Sequence, residues 1–203
     1  MIDQRLYEQF RDIGRDMYVD RLVSSHGGNL SVRFGDRVII KRRGAMLGRL
    51  KPHDLVETGL EKNDSNVALA STELIVHRAV YQATPALAVA HAHPRTAMAL
   101  SLSRDEIVPL DNEGSYLLKK IPVVAVEMAS GSPQMARVIA EALQAYKIVL
   151  LRGHGSFATG QTLDEAFQWT SVLEECCQII LATKLVDEPF IEYRKMSADY
   201  EKW

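Results

Sequence analysis

Hydrophobic positions recur along this chain in two rhythms. Ile2, Leu6, Phe10, Ile13 and Met17 step by three or four, while Asp3, Arg5, Glu8, Arg11 and Arg15 fall elsewhere, which predicts an amphipathic first helix. Turn-formers at 24–29 end it, and alternation over 30–34 and 37–40 around Gly35-Asp36 predicts a hairpin. Positions 50–58, with Pro52 and His53, read as a short turn and a strand. Ser71 or Thr72 is a natural N-cap for a helix over 73–83, whose Leu74, Val76, Ala79 and Val80 share one side. Pro85 ends it, and the small and β-branched run 86–93 reads as a buried strand. Pro94 at the first helical position opens a helix through 102, and 107–116 is a polar, glycine-containing loop. A strand at 122–126, a helix from Ser132-Pro133, a strand at 147–151 and a long helix capped by Thr162 and running through 185 complete the pattern. Pro189 marks its end, and 187–203 form a C-terminal tail. Strands and helices mix without a strict βαβ rhythm, so the expected fold is an α/β sandwich with an antiparallel or mixed sheet.

With 203 residues, 47% of them hydrophobic and 25% charged, the chain fits one globular domain spanning 1–203. A net charge of -2 leaves no basic footprint, which argues against a nucleic-acid partner. No apolar run approaches a membrane span, and the start Met1-Ile2-Asp3-Gln4-Arg5 lacks the form of a signal peptide, so the expected location is the cytoplasm. Cys176 and Cys177 are adjacent on a helix and point about 100° apart, which suits small buried apolar residues rather than a metal clip or an ordinary disulfide.

The strand at 86–93 ends in His91-Ala92-His93, and side chains two apart on a strand face one side. A catalytic zinc takes three protein ligands and keeps an open position. His154, flanked by Gly153 and Gly155 just past a second apolar strand, supplies a third imidazole, and Glu73 a carboxylate. Taken singly, each histidine also reads as a core or loop residue satisfied by backbone, and Glu73 as a first-turn charge that compensates the helix dipole. Two readings stay open for Gly27-Gly28-Asn29, a phosphate-holding loop or a plain turn. Lys41-Arg42-Arg43-Gly44 is likewise either a solvated face or an anion-binding loop meeting that glycine loop. The free N–H groups at Ser71-Thr72 offer a ready anion site. His77 reads as a packed structural histidine.

Gly28-Asn29, Arg43-Gly44, Ser71-Thr72-Glu73, His91-x-His93 and Gly153-His154-Gly155, in that order, resemble the class II aldolase and adducin head family, and within it the L-fuculose-1-phosphate aldolase branch. The resemblance implies a three-layer α-β-α sandwich on a central, largely antiparallel sheet, and a homotetramer with active sites between subunits. It implies His91, His93 and His154 as ligands of Zn2+ or another divalent metal, with Glu73 as acid/base and fourth ligand. Gly28, Asn29, Ser71, Thr72 and Arg43-Gly44 correspond to the phosphate cradle, Arg43 standing where the family often has Thr or Ser. The tyrosine that fuculose-phosphate enzymes supply from a neighbouring subunit falls at Asp111 or Asn112, and Tyr116 is the nearest tyrosine, so Asp111 and Tyr116 are the candidate proton donors. The implied reaction splits a phosphorylated sugar reversibly to dihydroxyacetone phosphate and a small aldehyde through a metal-stabilised enediolate. A decarboxylase, dehydratase or epimerase on the same frame is the alternative, and a non-catalytic adducin-like interaction domain the third.

Overall fold

The computed structural model describes residues 2–186 and 188–196. The elements follow as α1 (Gln4–Val19), β1 (Asn29–Phe34), β2 (Arg37–Lys41), β3 (Leu55–Gly59), α2 (Leu74–Ala83), β4 (Ala88–Ala92), α3 (Arg95–Ser101) and β5 (Glu106–Ile107). Then come α4 (Asn112–Leu117), β6 (Ile121–Val124), α5 (Pro133–Ala142), β7 (Ile148–Leu151), β8 (Gly155–Gly160) and α6 (Leu163–Val186). The strands form one sheet in the order β3-β2-β1-β4-β8-β7-β6-β5. Among the described residues only β6 and β7 pair in parallel; every other neighbouring pair is antiparallel.

Alternation along the strands decides which helices cover which face. Val38, Ile40, Val89, Val149, Leu151 and Phe157 point to one side and pack on Val76 and Val80 of α2 and Met135 and Ile139 of α5. Leu30, Val32, Ile39 and the three alanines 88, 90 and 92 point to the other, against Phe10, Ile13 and Met17 of α1 and Leu163 and Ala166 of α6. Further along, Ile148, Leu150 and Ala158 continue that face under α3 and α6. A fully buried side chain of this size contributes about 1.5–3 kcal/mol, so a one-residue slip of any central strand would forfeit several such terms at once. The result is a three-layer α-β-α sandwich on a mixed, largely antiparallel sheet.

Several boundaries differ from the sequence pattern. The strand expected over 86–93 forms only over Ala88–Ala92, which leaves His93 just beyond it, and Pro94 is the cap of α3 rather than its first residue. The strand expected at 122–126 is Ile121–Val124. The segment 107–116 is not a loop: β5 ends at Ile107, and Asp111 caps α4 by accepting from the Gly114 N–H at 2.7 Å. Strand β8 was not expected at all, because Gly155-Ser156-Phe157-Ala158-Thr159-Gly160 has no β-branched run; its pairing with β4 and β7 on both sides overrides weak propensity. Cys176 and Cys177 are buried and unbridged, as read from the sequence. Of the expected tail, Asp187 and 197–203 lie outside the described residues.

Candidate metal centre and anion cradle

Register brings the centre together. Asn29 of β1 and Phe157 of β8 both stand opposite His91 of β4, so three neighbouring strands present one row at the α2 face. His91 is buried; its Nδ1 donates to the Ser156 carbonyl at 2.9 Å and its ring stacks on Phe157 with centroids 4.1 Å apart. That hydrogen bond fixes the tautomer, leaving Nε2 with a lone pair rather than a proton. His93 continues the same face, and its Nε2 lies 3.0 Å from that of His91. His154 comes from the β7–β8 turn, held there because Leu151 and Gly155 are paired across it. The ligand atoms of the three imidazoles all lie within 4.8 Å of one another.

The carboxylate arrives from the opposite layer. Glu73 stands at the cap of α2, 5% exposed, with Oε2 3.0 Å from His91 Nε2 and Oε1 3.5 Å from His154 Nε2. Burial pushes its carboxyl up to about 7, against the opposing effects of a hydrogen bond from Asn29 Nδ2 at 3.4 Å and the charge of Lys41. Burial first, and then the neighbouring imidazoles, holds His91 well below its ordinary value; burial, His154 and Lys41 bring His93 down to about 4. His154 is lowered by burial, with the backbone at Ala129 partly offsetting it. The imidazoles are therefore neutral near pH 7, and their lone pairs converge with carboxylate oxygens on one point. Such a donor set can hold a cation at its centre. Two nitrogens bound tetrahedrally to one zinc sit about 3.3 Å apart, close to the spacing of His91 and His93.

Beside this centre runs a cleft of about 180 Å³ lined by Gly28, Asn29, Lys41, Arg43, Gly44, Ser71 and Thr72 together with Glu73 and the three histidines. The glycine loop and the basic loop thus meet, because antiparallel β1 begins where β2 ends and Arg43 N–H bonds the Leu69 carbonyl just ahead of Ser71. Gly28 adopts φ +68°, and a Cβ there would sit 2.7 Å from the His91 carbonyl oxygen, so only glycine passes at this point. Ser71 Oγ accepts from the Glu73 N–H at 3.3 Å and helps set the cap.

Lys41, read from the sequence only as one charge of a basic run that is either solvated or anion-binding, is buried. It is 3% exposed, and its Nζ donates to the carbonyls of His26 and Ala45 at 3.2 and 2.7 Å. Burial lowers it to about 8, opposed by Asp54 and Glu73. Its place at the end of a strand whose alternate residues face the core was the available signal. His77 is fully buried as expected, one turn along α2 from Glu73; its Nδ1 and the Tyr81 hydroxyl each lie 2.6 Å from Ser31 Oγ.

Asp111 and Tyr116 are not part of this cleft within one chain. The Asp111 side chain is engaged in capping α4, and Tyr116, 59% exposed on that helix, lines a separate cavity of about 750 Å³ with Lys119, Lys120, Lys147 and Arg194. That cavity is larger but holds none of the clustered imidazoles, so the smaller cleft is the chemical candidate.

The family model described as Class II Aldolase and Adducin N-terminal domain matches residues 8–181. The chain belongs to the class II aldolase and adducin family. An L-fuculose phosphate aldolase of Methanocaldococcus jannaschii is 33% identical over 182 residues, covering 88% of this chain and 97% of that protein. A 3-oxo-tetronate 4-phosphate decarboxylase of Haemophilus influenzae is 30% identical over 186 residues, covering 88% of each. The crystal structure of L-fuculose-1-phosphate aldolase from Thermus thermophilus superposes with a TM-score of 0.87 at 40% identity, over 93% of this chain and all of that one. Class II aldolases are metal-dependent, and this member of the family carries the three-histidine group such an ion requires. Among the described residues no helix is long and apolar enough to cross a membrane.

Proposed function

We propose that the protein is a metal-dependent aldehyde-lyase that cleaves a phosphorylated ketose reversibly to dihydroxyacetone phosphate and a small aldehyde, with Zn2+ the best match to three imidazoles and a carboxylate. The observation that carries this reading is the convergence of His91, His93, His154 and Glu73 on one point beside a cleft of anion-binding groups. A divalent cation there, held by neutral nitrogens, would retain its charge and act as the Lewis acid that stabilises the developing enediolate. Glu73, whose carboxyl sits near 7, is suited to take a proton from the three-carbon fragment and return it. Gly28, Asn29, Ser71 and Thr72, with Arg43-Gly44 and the charge of Lys41, would hold the phosphate and keep the reacting carbons against Glu73. In the proposed cytoplasmic homotetramer, Tyr116 of one subunit would face a neighbour's cleft and protonate the aldehyde oxygen; Asp111 would position it as the cap of α4.

The zinc-loaded protein in deuterated water should exchange the pro-chiral proton of dihydroxyacetone phosphate, and with lactaldehyde or glycolaldehyde should yield a ketose phosphate. Absence of both rejects the aldolase reading. Arg43 in the cradle favours a second reading, in which a substrate carboxylate is recognised by a bidentate contact and lost as carbon dioxide. The likeness to the 3-oxo-tetronate 4-phosphate decarboxylase supports it. Carbon dioxide release from a panel of phosphorylated keto acids, without proton exchange into dihydroxyacetone phosphate, would select it.

A further inference from the structure

His93 is held differently from His91. The His91 ring is fixed by its bond to Ser156, whereas among the described residues the only hydrogen-bond partner of the His93 ring is His91 itself. The direction of the His93 ring is therefore set by its backbone and by the close walls at Gly27 and Gly155. That backbone lies in the short turn between β4 and α3, tied on one side by the His93 N–H to the Leu22 carbonyl at 2.7 Å. On the other side α3 begins at Arg95 behind Pro94, which has no side-chain group to cap the helix. The free N–H groups of its first turn are taken instead by Glu174, a buried carboxylate on α6, 7% exposed. Glu174 Oε1 accepts from the Thr96 N–H at 3.0 Å, and Oε2 from Thr96 at 3.1 Å and Ala97 at 3.0 Å; Gln178 Nε2 donates to Oε1 at 3.2 Å.

A buried carboxylate is costly unless its oxygens are satisfied, and a helix start has N–H groups that must be satisfied, so the two needs lock together. We propose that Glu174 is a positioning residue for the metal centre: by clamping the start of α3 it fixes the His93-Pro94 turn and so aims the His93 ring at the point shared with His91 and His154. The inference rests on the metal reading given above. Glu174 touches neither the imidazoles nor the cleft, and its position far along the last helix gives no hint of the role in sequence.

The test is zinc affinity, measured by competition with a chromophoric chelator on folded protein whose thermal midpoint is recorded alongside. Glu174→Gln keeps the shape but replaces one accepting oxygen with a donor that faces N–H groups, and should weaken zinc binding roughly 10- to 100-fold, as loss of supporting contacts around metal ligands does. Val172→Ala, a buried apolar change on the same helix, serves as the control for general loss of stability and should leave zinc affinity unchanged. If Glu174→Gln does not fold, Glu174→Asp, which withdraws the oxygens by one methylene, gives the same comparison. Unchanged zinc affinity in the Glu174 variant, or an equal loss in Val172→Ala, overturns the positioning role while leaving the metal site standing. Failure of the unsubstituted protein to bind zinc overturns the metal reading and this inference with it.

Discussion

Replacing Gly27 by alanine adds a single methyl beside the proposed metal ligand His93 and little else. A Cβ at this position would lie 2.7 Å from His93 Nδ1 and 3.1 Å from His93 Cε1, against the 3.4 Å at which ordinary contact begins. The ring or the loop must therefore give way by about 0.7 Å, and misplacement on the ångström scale costs on the order of 100-fold where geometry governs function. The expected effect is a zinc dissociation constant raised roughly 10- to 100-fold, equivalent to about 1.4–2.8 kcal/mol. Folding stability should fall by no more than about 1 kcal/mol, because the atoms met belong to the side chains of His93 and Ser24 rather than to backbone. Gly44→Ala is the matching control. Gly44 has φ +74° and open space where a Cβ would go, so it should lose about 1–2 kcal/mol to backbone strain with zinc affinity intact. Chelator competition and thermal unfolding on the two variants separate the effects. Equal zinc affinity for Gly27→Ala and the parent protein would refute the claim that this glycine makes room for a ligand.

The metal-free protein should lose stability steeply as pH falls below about 6.5. His77, His91, His93 and His154 are all held below their ordinary values when folded, so the unfolded chain takes up their protons first, while Glu73, raised to about 7, works the other way and holds its proton in the folded state. The balance, about two to three protons near pH 5.5, predicts a slope of roughly 2.5–4 kcal/mol per pH unit in urea titrations, and a flat profile between pH 5 and 6.5 would contradict it. Ser31→Ala strands His77 Nδ1 in the core and removes one partner of the Tyr81 hydroxyl, and should cost about 1–3 kcal/mol by denaturant unfolding; a neutral result would mean that neither depends on Ser31. Lys41→Met removes the buried ammonium behind the cradle, and should raise KM for the phosphorylated substrate about tenfold or more, an amount typical of losing a charged hydrogen bond, with zinc content unchanged in elemental analysis. An unaltered KM would remove Lys41 from the cradle.

Much of this was legible from spacing alone. His91 and His93 share a face because a strand has a period of two, and Gly153-His154-Gly155 sits where a turn follows an apolar strand; those local rules survive folding. What the sequence hid were long-range choices. Strand β8 is held by its two neighbours rather than by its own residues, and α4 is decided by an Asp111 cap within what reads as polar loop. The burial of Lys41 and the role of Glu174 were hidden for a common reason: charged residues are expected at the surface, and only the tertiary structure reveals carbonyls waiting for one and helix N–H groups waiting for the other.

In the proposed site three imidazoles and one carboxylate bind a single divalent ion. X-ray absorption at the zinc edge on protein loaded with one equivalent tests it most directly. The expected spectrum shows a shell of nitrogen and oxygen at about 2.0–2.1 Å with the multiple-scattering signature of three imidazoles, reduced to two in His93→Ala. A sulfur shell near 2.3 Å, or fewer than three imidazoles in the unsubstituted protein, would contradict it.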